Sequence, residues 1–78
     1  YYSMDTLYTL EEDRSAEIVL LNNSNATKVR LAEMGIMPGI GVRMIKKTPL
    51  NGPIEIKVNE FYLSLRRDLA NKVYVNKR

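Results

Sequence analysis

The sequence of 78 residues has neither cysteine nor histidine. Without cysteine there is no disulfide framework and no thiolate ligand, and without histidine there is neither an imidazole ligand nor a general base that titrates near neutrality. The remaining reactive groups are carboxylates, lysines and tyrosines dispersed over predicted outward strand faces, which gives no activated nucleophile and no acid and base pair. We therefore expect no enzyme, no catalytic residue, no cofactor and no tight ferrous iron or zinc site.

Long apolar runs are also missing. No run approaches 18 residues, so we expect no membrane span, and the first residues lack the charged and then apolar pattern of a secretion signal. A cytoplasmic protein fits these two absences best. Tyr1, Tyr2 and Ser3 precede Met4, and we interpret them as a remnant outside the natural domain. We expect one domain over residues 4–78, small enough to be a barrel or a bundle without a deep cleft.

Apolar and β-branched residues predict five strands, over residues 16–21, 41–47, 54–58, 61–65 and 73–75. The third and fourth of them alternate apolar and polar residues with a period of two. We predict one short α-helix over residues 26–34, between the first two strands, and a helical turn over residues 66–71 before the last strand. Residues 5–10 are expected to form a short turn or a lid over the core edge. The predicted fold is mainly β, a small five-stranded barrel.

The predicted core collects the inward positions of the strands and one helix position. Its members are Ile18, Leu20, Leu31, Val42, Met44, Ile54, Ile56, Val58, Phe61, Leu63, Leu65, Val73 and Val75.

A structural corner is predicted where the helix ends. Gly35 stands where a helix needs a left-handed residue, and glycine has a positive φ without a Cβ penalty. Ile36 would then pack back on Leu31. Pro38 and Gly39 follow at the two central positions of a type II turn, because proline presets a negative φ and glycine accepts a positive one. Helix, turn and strand therefore follow each other within a few residues.

Two segments are candidate partner-binding surfaces. On the helix, Leu31 and Met34 lie about 60° apart, whereas Val29 and Ala32 lie on the opposite side. We expect the first side to face the core, and the second to be covered by a loop or offered to a partner.

The second candidate is the segment over residues 49–53, which contains Leu50 and Asn51. Asn-Gly favours a two-residue hairpin, but Pro53 lacks the amide that such a turn needs, so we expect a wider, stiff loop.

Three stretches in this order and spacing carry a family resemblance: RLAEMGIMPG over residues 30–39, PLNGPIEI over residues 49–56 and LSLRRDLA over residues 63–70. Together they resemble the FeoA family of ferrous iron transport accessory proteins, over about residues 6–75. The departures are Met34, where the family usually has leucine, and Asn51, where it often has glycine.

The resemblance implies an SH3-like barrel in the cytoplasm that works beside FeoB, the membrane GTPase and ferrous iron permease. A second copy of the chain is a further candidate partner. The same domain type resembles the C-terminal domain of DtxR-type metal-dependent repressors, but no stretch has the pattern of a helix-turn-helix. The family's name also implies weak binding of transition metal ions.

Two other functional classes compete with a protein-interaction adaptor. The densest carboxylate cluster, Glu11, Glu12 and Asp13, is expected to be a solvated loop with weak, unselective divalent binding at most. A nucleic-acid-binding barrel is the alternative from another class, because a net charge of +3 and outward aromatics are compatible with it. The residues concerned are Lys46, Lys47, Tyr62, Arg66, Arg67, Lys72 and Tyr74. They are few, so we expect no nucleic-acid binding, and a protein-interaction adaptor is the preferred hypothesis.

Overall fold

The computed structural model describes residues 5–78, so the predicted domain start at Met4 and the remnant before it lie outside the described residues. The described chain folds into six strands, two α-helices and a 3₁₀ turn. In chain order these elements are β1 Asp5–Thr6, the 3₁₀ turn Leu7–Thr9, β2 Ser15–Leu21, α1 Asn25–Glu33, β3 Gly41–Lys47, β4 Ile54–Val58, β5 Phe61–Leu65, α2 Arg67–Ala70 and β6 Val73–Lys77.

The strands form one antiparallel sheet in the order β1-β6-β2-β3-β4-β5. Between residues 5 and 78 the sheet does not close, since β1 and β5 are its two edges. The prediction of a mainly β fold is confirmed, but the predicted number of five strands is wrong. The additional strand is β1, whose two residues pair with Tyr74 and Val75 of β6. Asp5 and Thr6 are both polar and give no alternating apolar pattern in the sequence. Their strand conformation therefore follows from their pairing with β6.

Element bounds differ little from those predicted. Strands β3, β4 and β5 have the expected limits, whereas β2 begins one residue earlier and β6 ends two residues later. Helix α1 begins and ends one residue earlier than expected, and because of β1 it lies between the second and third strands. Ser24 is its N-cap and accepts a hydrogen bond from the Thr27 amide. Helix α2 is the predicted helical turn before the last strand.

The core is entirely apolar: among the described residues no polar or charged residue is buried. Its members are Leu7, Leu10, Ala16, Ile18, Leu21, Leu31, Ile36, Val42, Met44, Ile54, Ile56, Val58, Leu65, Ala70, Val73 and Val75.

Leu20 was predicted to be in the core and is 47% exposed. The pairing of β2 with β6 shifts register between Ile18 and Leu20, which marks a β-bulge at Val19. A bulge inserts one residue and reverses the inward and outward alternation beyond it. Leu21 therefore points inward in place of Leu20, and the prediction is corrected by one position.

The prediction that Phe61 belongs to the core is also wrong, since Phe61 is 65% exposed. Leu63 is only partly buried, whereas Leu65 is buried on the same face of the strand. All three lie on β5, an edge strand with a neighbour on one side only. Phe61 is the first residue of this strand, directly after the β4–β5 turn. Its side chain is on the same face as those of Leu63 and Leu65, but no neighbouring element of the described chain covers it.

The corner after α1 has the geometry that the sequence predicts. Gly35 has a φ of 92°. Its amide donates to the carbonyl of Ala32, and the amide of Ile36 donates to that of Leu31, both at 2.9 Å. This pair of bonds is a Schellman motif. Leu31 and Ile36 are both buried in the core.

The type II turn follows directly. Gly39 has a φ of 95°, and the amide of Ile40 donates to the carbonyl of Met37 at 3.2 Å. Pro38 and Gly39 therefore occupy the two central positions, as predicted. The turn is held against β2, because the amide of Gly39 donates to the carbonyl of Ile18 at 2.7 Å.

Candidate partner-docking site

The loop between β3 and β4 is closed at its base. The amide of Thr48 donates to the carbonyl of Pro53 at 3.2 Å. The hydroxyl of Tyr8, in the 3₁₀ turn, donates to the carbonyl of Gly52 at 3.2 Å. The loop is thus wider than a two-residue hairpin, as predicted, and it is attached to a distant part of the chain.

Leu50 lies at the tip of this loop and is 97% exposed. Its φ is 61° and that of Asn51 is 60°. Asparagine tolerates the left-handed region, but leucine does so at a cost of roughly 1–2 kcal/mol because its Cβ approaches the backbone. Leu50 therefore combines a strained backbone with a side chain that gains almost nothing from the fold. Such strain is typical of functional sites.

The acidic segment predicted as a solvated loop supports the base of this hairpin. A carboxylate oxygen of Glu12 accepts a hydrogen bond from the Lys47 amide at 2.9 Å. The amide of Asp13 donates to the carbonyl of Met44 at 2.7 Å, and the Asp13 carboxylate lies 3.7 Å from Arg43. The carboxylates of Glu12 and Asp13 thus have different partners. Within residues 5–78 no group of three or more potential ligands could hold a metal ion.

Helix α1 presents the other two predicted partner-binding residues. Val29 is 59% exposed, and Ala32 is half-buried. Leu31 is the only buried residue of the helix. The opposite side of the helix was expected to face the core, but Met34 on that side is 38% exposed.

Met34 lines a groove of about 380 Å³ between α1 and α2 that the sequence analysis did not identify. The groove is lined by Thr27, Arg30, Leu31, Met34, Arg66 and Leu69. The lining residues of α1 and its C-cap Met34 follow the spacing i, i+3, i+4 and i+7, which is visible in the sequence. Of this stripe, only Leu31 and Met34 enter the sequence-based prediction, which assigns them to the side that faces the core.

The candidate residues thus fall on two separate elements. Leu50 and Asn51 share the loop tip, which is bound to the 3₁₀ turn through Tyr8. Val29 and Ala32 lie on α1, which adjoins α2 across the groove. No hydrogen bond within the described chain joins α1 to the loop. A partner that contacted both would have to span them.

The outer face of the sheet bears on the nucleic-acid alternative. The ammonium of Lys57 lies 5.7 Å from the centre of the Tyr62 ring, and Tyr62 is 59% exposed. Tyr74 is half-buried. A binding face for single strands needs several exposed aromatics between cations, and this face supplies one such pair in the part of the chain that is described.

Comparison with known proteins gives a family. The FeoA domain model matches residues 6–77, which is nearly the whole chain. No curated protein sequence matches the chain.

Three solved structures illustrate the structural likeness. FeoA from Chlorobium tepidum is 27% identical, with a TM-score of 0.87, over 94% of this chain and 70% of that one. Stenotrophomonas maltophilia FeoA complexed with zinc, a procaryotic SH3 domain protein, is 33% identical, with a TM-score of 0.76, over 92% of this chain and 89% of that one. A manganese-dependent transcriptional repressor is 14% identical, with a TM-score of 0.85, over 100% of this chain and 44% of that one, which shows the fold alone.

The zinc bound to the Stenotrophomonas protein does not imply a zinc site of the usual kind in this chain. Structural and catalytic zinc sites are built mainly from cysteine and histidine, and this chain contains neither. The absence of a tight ferrous iron or zinc site in the isolated chain stays a prediction, which calorimetric titration with each metal checks. As for the membrane, neither helix in the described residues is long and apolar enough to cross one.

Proposed function

Because the chain belongs to the FeoA domain family, we propose that it is a small cytoplasmic adaptor that docks on FeoB, the membrane GTPase and ferrous iron permease. In this role it supports ferrous iron uptake through protein contacts and performs no chemistry itself. The iron is the cargo of the transporter, and the adaptor needs no resident metal.

The exposure of Leu50 is the observation that carries this proposal. A leucine that is 97% exposed and has a φ of 61° lowers the stability of the free protein. A partner that covered it would recover roughly 2 kcal/mol of apolar burial. The loop is already closed by the Thr48 amide and the Tyr8 hydroxyl, so docking would cost little ordering entropy.

Helix α1 would supply a second contact through Val29, with the half-buried Ala32 beside it. Val29 is the most exposed large apolar residue of α1. Since α1 buries only Leu31 in the core, most of the helix surface is available to a partner.

The two alternative functions have less support. Likeness to the manganese-dependent repressor is limited to the fold, at 14% identity. The nucleic-acid alternative depends on a single described pair, Lys57 and Tyr62. Neither observation involves a residue with a strained backbone, as Leu50 has.

Leu50→Asn tests the loop. Asparagine tolerates the left-handed backbone, so the fold is kept while the apolar side chain is removed. We expect the variant to capture the cytoplasmic part of FeoB at least about tenfold more weakly, as for loss of one buried leucine contact. The readout is a titration of the FeoB fragment against immobilised protein.

The matched control is Leu20→Thr, which removes another exposed leucine from the outer face of β2. It should bind the FeoB fragment as the parent does. Val29→Thr separately reports the contribution of α1. If Leu50→Asn binds as tightly as the parent, the loop is not the docking element.

A further inference from the structure

Two cations face each other on the outer side of the sheet. Arg43 of β3 and Lys57 of β4 are directly opposite in the antiparallel register. Ser15 of β2 is opposite Arg43 on its other side, and Tyr62 of β5 is opposite Lys57. Like charges in direct cross-strand pairs destabilise a sheet. The arrangement therefore costs the free protein stability, and a bound anion would remove the repulsion.

These two cations belong to a shallow, open site, the basic pocket, which has a volume of about 230 Å³. Arg78 is the third cation in its lining, and the lining contains no aspartate or glutamate. The hydroxyl of Ser15 and the amide of Asn59 also line the pocket. Three cations and two neutral donors around one small volume form a set that suits a tetrahedral anion.

Gly41 of β3 leaves room for the guanidinium of Arg78, the third cation. A Cβ added at this residue would lie 3.1 Å from one terminal guanidinium nitrogen of Arg78 and 3.5 Å from the other. That is closer than ordinary van der Waals contact for the nearer atom, so a side chain at residue 41 would make the guanidinium move by a few tenths of an ångström. The Arg78 backbone is held as well, because its amide donates to the carbonyl of Ser15 at 3.1 Å.

The acidic neighbours leave the guanidinium groups available. Asp13 lies 3.7 Å from Arg43, and Glu17 lies 3.8 Å from Arg78. All four side chains are at least 44% exposed, and such exposed pairs contribute little. A multiply charged anion inside the pocket can therefore compete for the guanidinium donors. Lys57 differs from the two arginines in its neighbour, because its ammonium lies near the Tyr62 ring, whereas each guanidinium lies near a carboxylate.

We propose that the basic pocket binds a phosphate group through Arg43, Lys57 and Arg78. Guanidinium groups bind phosphate oxygens with two parallel hydrogen bonds, and a lysine ammonium adds a point charge. The proposal is independent of docking on FeoB, because neither Leu50 nor Val29 lines this pocket. A free phosphate and a phospholipid headgroup share this chemistry.

Titration with inorganic phosphate tests the pocket directly. Backbone amide shifts are followed by NMR while chloride keeps the ionic strength constant, which removes general screening. We expect saturable shifts centred on Gly41, Arg43 and Lys57. Lys57→Gln should weaken the fitted affinity about tenfold, the usual effect of losing one charge-assisted hydrogen bond.

Two further variants make the result specific. Gly41→Ala keeps every charge but shifts the Arg78 guanidinium by a few tenths of an ångström, so it should weaken binding less than Lys57→Gln does. Lys72→Gln is the matched control, because it removes one exposed positive charge outside the pocket lining and should bind as the parent does. The unfolding midpoint of each variant confirms that it is folded, and Lys57→Gln decides the case if Gly41→Ala does not fold.

Vesicles distinguish the two sources of phosphate. Sedimentation with phosphatidylglycerol vesicles, compared with phosphatidylcholine vesicles, reports headgroup binding. Loss of that binding in Lys57→Gln supports a headgroup, whereas saturation by inorganic phosphate alone supports a free ligand. Three outcomes overturn the proposal. The amide shifts grow without saturation, Lys72→Gln loses as much affinity for phosphate as Lys57→Gln, or the protein binds an added single-stranded oligonucleotide but neither phosphate nor vesicles.

Discussion

Four residues other than glycine have a positive φ in the described part of the chain: Asp13, Leu50, Asn51 and Asn59. Aspartate and asparagine enter the left-handed region comparatively often, but leucine does not. Leu50 is thus the residue whose identity disagrees with its backbone. A substitution that suits the backbone should make the protein more stable, because nothing in the fold depends on the leucine side chain.

Leu50→Asn should raise the free energy of unfolding by about 0.5–1 kcal/mol, since the backbone strain is relieved and no packing is lost. Leu50→Ala is the matched variant, because it removes the exposed side chain and keeps the strain. It should leave the urea midpoint nearly unchanged. Equal midpoints for the two variants would show that the left-handed backbone at residue 50 carries no measurable strain.

Gly35→Ala should lower the free energy of unfolding by roughly 1 kcal/mol, because a Cβ must then adopt the positive φ of the helix stop. The new Cβ would lie 3.5 Å from atoms of Val58 and Asn59, an ordinary contact, so the loss arises from the backbone alone. Gly35→Val should cost more, because its side chain is β-branched.

Gly39→Ala is the control for that measurement. Gly39 has nearly the same φ, and its added Cβ meets nothing within 4 Å. It should therefore cost about as much as Gly35→Ala. An unchanged denaturant midpoint for Gly35→Ala would contradict the left-handed stop.

The left-handed residues show how far the sequence can be read at this scale. Gly35 and Gly39 are predictable because glycine itself marks a position that needs a positive φ. Leu50 is not, because its own chemistry opposes the conformation it adopts. Pro53 removes the donor for a turn centred on Asn51 and Gly52, and the left-handed pair lies one residue earlier, at Leu50 and Asn51. The position of the candidate loop was predictable, but its strain was not.

Among the elements, the bulge in β2 decides which leucines stabilise the fold. It leaves Leu20 47% exposed, while Leu7 in the 3₁₀ turn has no exposed surface. Leu7→Ala should therefore cost about 2–5 kcal/mol, as for a buried leucine, and Leu20→Ala under about 1 kcal/mol. Urea unfolding of both variants measures the difference. Similar losses would mean that β2 pairs with β6 in the register without a bulge.

The same elements explain why part of the core was missed. Alternation along β3 and β4 identified their buried residues, because the register shift of this pair lies on β3 beyond Met44, after the last buried residue of that strand. The bulge at Val19 depends on how β2 meets β6, more than 50 residues away along the chain. Leu7 and Leu10 lie in a segment too short for a periodic signal, so their burial follows from packing against distant strands. On α1, the groove needed α2 as a second wall, which helix periodicity alone does not reveal.

For the whole molecule, the distribution of charge predicts a weak dependence of stability on salt. The four ion pairs among the described residues measure 3.7–3.9 Å, and each of their side chains is at least 43% exposed. Such pairs are worth about 0–1 kcal/mol each and are screened by salt. The buried core contains no charge.

Raising sodium chloride from about 0.05 M to about 0.5 M should therefore change the free energy of unfolding by less than about 1 kcal/mol. Urea unfolding at the two concentrations provides the measurement, with chloride as the only anion so that the basic pocket is not filled by phosphate. A change of several kcal/mol would reveal a charge network stronger than these exposed pairs.

The pairing of β1 with β6 places Asp5 beside Val75 and Thr6 beside Tyr74, so the first and last strands of the fold are neighbours. A chain that enters and leaves a domain at one place can be joined there and opened elsewhere. A short linker between these strands, with a break in the Asn59–Glu60 turn, would yield a circular permutant that keeps the order of strands in the sheet. For the same reason the domain suits insertion into a surface loop of another protein, because both of its ends would connect to neighbouring points of that loop.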